Sequence, residues 1–492
     1  MPPVNLADRL LSHPSHLLAL VCGSRLLTYG ELADRAARWR GGMAAAGIGA
    51  GRRVAVLAGN DETVVLAELA LVGAGAVVAP VNPLSPPAEL SRELAAVDPD
   101  AVLVSPAGEA AWAALVAEQT RWIDLRLDPA AWDDAPALPV VDVAPDTPAA
   151  LLFTSGTAGG PKPAVLTHAN LDASLRAMLA LPVPLAGVGH VGLAVIPLFH
   201  VFGLNAVVNL GLAMGATLVL DDYRSPQQVA VLVATHQVTI LAGPPTLWQA
   251  LAGHPEANPE QFTSVRIALS GAAKLPVEVH QTVRDRLGLR LDEGYGLTET
   301  CAVVATTLGR PDALAGSVGA PLAGVEVRLV DDNEADVLVG DPGEVWVRGP
   351  MVSPGYFRPA GAPLEERRDG EGWLHTGDVA IVDEQGHLAV VDRVKDLIIV
   401  SGFNVFPGEV EAVLVLHPDV AAAGVVGQPD PDTGEAVVAH VVAADERTID
   451  VDEVIEHCRH HLARYKVPRR VEVRRELPRG LGGKLRRRHL RP

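Results

Sequence analysis

From Arg53 onwards, strand-length apolar runs alternate with helix-length stretches, and this alternation most limits what the chain can fold into. RVAVLAG (Arg53–Gly59) reads as a strand, Asp61–Gly73 as a helix, AVVAP (Ala76–Pro80) as a strand, Pro87–Ala96 as a helix and AVLVS (Ala101–Ser105) as a strand. A second series comprises LAVIP (Leu193–Pro197), ATLVL (Ala216–Leu220), TILAG (Thr239–Gly243) and RIALSG (Arg266–Gly271), with helical stretches such as Pro226–His236 and Pro276–Leu287 between them. Near-continuous apolar strands separated by helices predict α/β architecture, with parallel sheets covered by helices on both faces. Between the two series, Ala107–Pro148 is rich in Ala, Pro and Asp and reads as helix plus surface connection.

After Ser317 the texture changes. GVEVRLVD and GEVWVRGP are short, alternating and bounded by turns, which predicts a small antiparallel unit. A charge cluster at Asp392, Arg393, Lys395 and Asp396 precedes the apolar LIIV, and the residues beyond suffice for a small α+β domain. The boundary falls at 391–396.

At 492 residues the chain has material for about three domains. Hydrophobic residues make up 49% and charged residues 20%, enough for a core and far from a disordered composition. A net charge of −19 excludes general nucleic-acid binding, which needs a basic surface. The exception is Arg486–Arg491, which reads first as a solvated terminus and second as a contact for an anionic ligand. Three widely spaced cysteines (Cys22, Cys301, Cys458) lack metal spacing and suit a reducing, cytoplasmic compartment. Cys301 reads as a small buried hydrophobe rather than a nucleophile. No signal peptide is read at the N-terminus. Two runs approach membrane length, Val64–Val81 with Glu68 inside it and Gly203–Leu220 with Asn205 and Asn209. Each splits into helix plus strand and reads as core, so no transmembrane segment is expected.

The richest chemistry lies in Thr154–Lys162, TSGTAGGPK, which follows the apolar Ala149–Phe153. Small residues let backbone N–H groups approach phosphate oxygens, hydroxyls donate, and Lys162 supplies a point charge. This is not a Walker A loop, because Lys162 lies between Pro161 and Pro163 instead of preceding Ser or Thr. Taken alone, the stretch fits a surface turn equally well.

Six stretches in fixed order resemble the adenylate-forming superfamily of acyl-CoA synthetases, luciferases and peptide-synthetase adenylation domains. They are the loop itself, PLFHVFG (Pro197–Gly203), GYGLTET (Gly294–Thr300), TGD (Thr376–Asp378), DRVKDLIIVSGFNVFP (Asp392–Pro407) and GGKLRR, which contains Lys484. The resemblance spans nearly the whole chain. It departs from the usual pattern at Ala158 (commonly Thr), Pro163 (commonly Gly) and Gly480 (often Thr).

The resemblance implies an N-terminal AMP-binding domain over 1–391, a hinge at 392–396 centred on Lys395, and a mobile C-terminal domain over 397–492. It implies that Thr154, Ser155, Gly156, Thr157, Gly159, Gly160 and Lys162 hold the phosphates of ATP, with Thr298 as a further contact. Gly271, Ala272 and Ala273 resemble the adenine-edge segment, and Gly294, Tyr295 and Gly296 the stretch against the adenine ring. Asp378 would accept from the ribose hydroxyls, with Arg393 beside it. Glu299 resembles the Mg2+ carboxylate, although alone it would read as a surface or capping residue. His200 resembles the histidine beside the acyl carboxylate, although a lone histidine in an apolar run is more often a core residue. Lys484 matches the catalytic lysine of the small domain. Ser401, Gly402 and Phe403 match the segment presented for the second half-reaction, in which coenzyme A displaces AMP.

The nearest resemblance is to fatty acyl-CoA synthetases, and no arginine adjoins Gly294 and Tyr295 to pair a second carboxylate, which favours an apolar monocarboxylic acid. Val201, Trp248 and Cys301 are among the candidate pocket walls. Three rivals remain: an adenylating enzyme that loads a carrier-protein pantetheine, a luciferase-like oxygenase, and a nucleotide-binding module with little catalysis. Oligomeric state is not legible.

Overall fold

The computed structural model describes the chain except for residues 1–4, 128, 155–160, 184–188, 311, 313–314, 332, 360, 394–395, 401–402, 432, 445–446, 480–484 and 492. Among the described residues the fold is mixed α/β, with two large sheets and two small ones. The first large sheet has a parallel centre: Leu291–Tyr295, Ile267–Ser270, Ile240–Gly243, Val191–Ala194, Thr217–Leu220 and Leu18–Cys22 lie side by side in that order. The second has a parallel run of Pro148–Phe153, Val77–Val81, Arg53–Leu57, Ala101–Val104 and Arg126–Leu127. Both sheets carry antiparallel strands at their margins, so they are mixed rather than purely parallel.

The helices lie where apolar spacing and caps put them. Glu62–Gly73 begins at Asp61, whose carboxylate accepts from the Thr63 amide, as an N-cap residue should. Pro226–His236 starts with Ser225 as N-cap and proline at its first position. Glu62–Gly73 is buried on nearly every face, as befits a helix packed between layers. Phe202–Asn209 departs from expectation in being a π-helix, which continues as the α-helix Leu210–Met214. Such turns are rare and cluster at functional sites.

The polar interruptions of the two membrane-length runs meet in the core. The Asn209 amide donates to Glu68 Oε1 at 2.9 Å, and Asn205 donates to the Cys301 carbonyl at 2.8 Å. No described helix is long and apolar enough to cross a membrane.

The unit after Ser317 is antiparallel, as its alternation predicts: Glu326–Val330, Gly343–Arg348, Leu374–Val382 and Leu388–Arg393 pair in that order. The chain leaves this sheet at Arg393 and enters the last one at Ile398. That sheet pairs Phe403–Val405, Ile398–Val400, Gly434–Ala443 and Val420–Asp430, with Arg470–Arg474 parallel to Gly434–Ala443. The helices Pro407–Val415 and Val451–His461 contribute Val410, Leu414, Val454 and Cys458 to its core.

The basic tail is not simply a solvated terminus. Leu490 is buried, and the Arg487 side chain is 18% exposed, with Glu411, Asp392 and Asp396 around it. A guanidinium that satisfies three carboxylates anchors the chain end instead of leaving it free.

Candidate active site

Four of the expected site segments follow the carboxyl ends of strands in the parallel runs, three in the first large sheet and one in the second, the position where ligands bind in open α/β sheets. Pro148–Phe153 leads into the glycine loop, Val191–Ala194 leads towards His200, Ile267–Ser270 runs into Gly271–Ala273, and Leu291–Tyr295 delivers Tyr295.

Tyr295 and Asp378 meet across 83 residues of sequence: the phenol donates to Asp378 Oδ2 at 2.8 Å. Asp378 is 4% exposed. Its turn depends on Gly377, whose φ of +71° suits glycine and whose amide donates to Glu344 Oε1. Thr376 braces the turn, donating to the Val345 carbonyl and accepting from the Asp378 amide. Arg393 lies opposite Asp378 in the paired strand.

The GLTET turn folds back on itself. A Cβ on Gly296 would come within 1.9 Å of the Ala302 carbonyl oxygen, so only glycine fits this approach. Thr300 is fully buried and closes the turn, accepting from the Leu297 amide and donating to its carbonyl. Thr298 remains half-buried and makes no side-chain hydrogen bond among the described residues. Cys301 and Ala302 follow at φ +55° and +94°, and Ala272 has φ +69°. Non-glycine residues in this region cost about 1–3 kcal/mol each and tend to cluster at functional sites. Cys301 is buried and its thiol pKa is raised by burial, consistent with a packing residue and not a nucleophile.

A polar chain links Glu299 to Lys162. The Tyr356 hydroxyl donates to Glu299 Oε1, and burial together with the Glu299 charge raises the phenol's pKa. Lys162 Nζ lies 5.3 Å from the Tyr356 ring centroid and 2.6 Å from Glu365 Oε1. Lys162 holds the Glu365 pKa below the usual carboxylate range. Tyr356 pairs with Ala164 beside the loop, and the Ser353 amide donates to the Glu299 carbonyl. Neither Tyr356 nor Glu365 stands out in the sequence, and Glu365 lies 203 residues from Lys162.

At the mouth of the loop, the Thr154 hydroxyl is buried without a partner among the described residues. Such an atom fits a phosphate-oxygen donor, since an unsatisfied buried hydroxyl is costly. The Glu299 carboxylate offers the oxygen chemistry a hard cation takes. His200 is half-buried beside Phe199, with ring centroids 4.6 Å apart, and burial lowers its pKa, favouring the neutral imidazole. Of the expected pocket walls, Val201 and Cys301 share one apolar cluster. Trp248 does not: it is fully buried in a different cluster, and its indole donates to the Leu269 carbonyl. Core packing therefore replaces pocket lining as the reading of Trp248.

Ser155, Gly156, Thr157, Gly159, Gly160, Lys395, Ser401, Gly402 and Lys484 lie outside the described residues, as do the side chains of Arg393 and Phe403.

Residues 7–357 match the model of the AMP-binding enzyme family, and 409–484 match the AMP-binding enzyme C-terminal domain. The chain belongs to the AMP-binding enzyme family. It is similar to a feruloyl-CoA synthase from Amycolatopsis sp., 38% identical over 96% of this chain and 94% of that one. It is also similar to a long-chain-fatty-acid–CoA ligase from Yersinia pestis, 39% identical over 71% of this chain and 62% of that protein. Among solved structures, ATP-bound MatB from Rhodopseudomonas palustris is 29% identical, with a TM-score of 0.90 over 100% of this chain and 98% of that one. These relations place the protein among the AMP-forming acyl-CoA ligases, with the large N-terminal and small C-terminal domains of adenylate-forming enzymes.

Proposed function

We propose that this enzyme activates an apolar monocarboxylic acid with ATP, forming an acyl-adenylate and pyrophosphate, and then transfers the acyl group to coenzyme A with release of AMP. The observation that carries the reading is the Tyr295–Asp378 pair. It joins an aromatic face suited to adenine with a carboxylate able to accept from both ribose hydroxyls. Lys162 and the Thr154 hydroxyl stand at the phosphate end, and Glu299 is the residue that would hold Mg2+. Bound there, the cation would neutralise charge on the triphosphate. A neutral His200 would orient the acyl carboxylate, which needs no deprotonation at neutral pH. The domains divide as 1–391 and 397–492, and the hinge at 392–396 lets the small domain present Lys484 first and the Ser401–Phe403 segment second. The working compartment is the cytoplasm.

For the acyl group, the fatty-acid reading from sequence stands beside an aromatic one. The similarity to a feruloyl-CoA synthase runs the length of both chains, whereas the match to the fatty-acid ligase covers 62% of that protein. Both substrates share one carboxylate on an apolar body. The test is thioester formation from free coenzyme A across straight-chain, branched, aromatic and dicarboxylic acids. The reading expects turnover on one or more apolar monocarboxylates and little on dicarboxylates. Turnover with a pantetheine-bearing carrier protein but not with free coenzyme A would instead establish the carrier-loading alternative.

A further inference from the structure

The small C-terminal unit carries a cluster of metal-ligating side chains outside the nucleotide site. His417 follows the helix Pro407–Val415, Asp419 precedes the strand Val420–Asp430, and Glu453 lies in the first turn of Val451–His461. One ring nitrogen of His417 and one carboxylate oxygen from each acid all lie within 4.8 Å of one another. That spacing suits ligands around one small cation, and the three residues come from separate elements that the fold brings together.

The surrounding hydrogen bonds favour cation binding. His417 is 8% exposed, and its Nδ1 accepts only a long 3.3 Å bond from the Asp419 amide. His457, one turn after Glu453, stands edge-on to the His417 ring at 5.3 Å between centroids. Its Nε2 is 3.1 Å from the Val413 carbonyl. That contact holds the His457 ring beside the His417 imidazole. Arg447 Nη1 donates to Asp419 Oδ1 at 2.8 Å. A carboxylate can keep that partner on one oxygen and ligate with the other.

We infer that His417, Asp419 and Glu453 form a three-ligand site for a divalent transition-metal ion. Mixed imidazole and carboxylate ligands suit Zn2+ and its neighbours better than Mg2+, which prefers all-oxygen shells. A bound ion would clip the turn after Pro407–Val415 to the helix Val451–His461.

The test is equilibrium dialysis and calorimetry with Zn2+ alone on the full-length chain without an affinity tag, supported by Co2+ absorption. One ion per chain is expected. Glu453→Gln, an exposed change that leaves the core alone, should weaken binding at least ~10-fold, and so should His417→Gln. His461→Ala and His460→Ala should leave affinity unchanged. Absence of stoichiometric binding would overturn the assignment. So would affinity that survives Glu453→Gln but is lost in His461→Ala, which would locate the ion on the exposed helix histidines alone.

Discussion

Arg487 grips Glu411 with two edges of its guanidinium: Nη2 lies 2.7 Å from Oε2, and Nε lies 3.1 Å from Oε1. Asp392 and Asp396 lie 3.6 and 3.4 Å from Nη1, so one arginine near the chain end ties the last helix-bearing unit to the segment that leaves the antiparallel sheet. Burial raises the Glu411 pKa, and Arg487 opposes that shift.

Removing the arginine alone strands carboxylates in a poorly solvated place. Arg487→Met should therefore destabilise the protein by about 3 kcal/mol in urea titrations. Pairing it with Glu411→Leu should recover part of the loss, because the orphaned charge goes too. A single-variant loss below about 1 kcal/mol would show that the network behaves as an ordinary surface ion pair.

Glu68 gives a pH signature. Burial raises its pKa from 4.5 to about 8, and both Glu68 Oε2 and Asn209 Oδ1 are buried acceptors without a donor among the described residues. The folded state thus holds a proton that the unfolded chain releases. The contribution is fully present below pH 4.5, falls as pH rises and levels off above about 8, totalling up to about 4–5 kcal/mol. Glu68→Gln should remove this slope and be more stable than wild type at pH 8, with the gap narrowing towards pH 5. Parallel stability curves for the two proteins would contradict a protonated Glu68.

If Lys162 holds a phosphate of ATP, Glu365 competes with that phosphate for its ammonium. Both side chains are about one-third exposed, at 31% and 37%, so the pair is worth at most about 1 kcal/mol. Glu365→Gln should leave stability nearly unchanged and lower KM for ATP by up to about fivefold. A raised KM would mean that Glu365 positions the lysine instead of competing for it.

If Glu299 holds Mg2+, Glu299→Gln keeps the acceptor for Tyr356 but loses the charge. The Mg2+ concentration for half-maximal rate should then rise as the rate falls. Magnesium dependence like that of wild type would remove the metal assignment.

The strands and helices were legible because their apolar runs are long and their caps local; Pro226–His236 starts where Ser225 and Pro226 put it. Partnerships across the chain were not legible. Glu68 and Asn209 each read as a polar interruption in an apolar run, and only tertiary packing across 141 residues makes them partners. Arg487 sits in a basic run that resembles any solvated tail, and its carboxylates lie 76 to 95 residues upstream. Trp248 shows the same limit in reverse: an aromatic in a helix signals burial without saying which cluster receives it. The π-helix at Phe202–Asn209 was missed because its apolar residues also fit ordinary helical spacing.

The central claim is acid activation through an adenylate, and acid-dependent exchange of pyrophosphate into ATP, run without coenzyme A, tests it most directly. The account predicts exchange with at least one apolar monocarboxylic acid and none without acid, slowed at least ~100-fold by Lys484→Ala. With Ala158 and Pro163 in the loop, the wild-type rate should be modest, and Ala158→Thr should raise kcat/KM for ATP. Well-folded protein that binds ATP yet shows no exchange with any acid tested would contradict the account and leave a nucleotide-binding module.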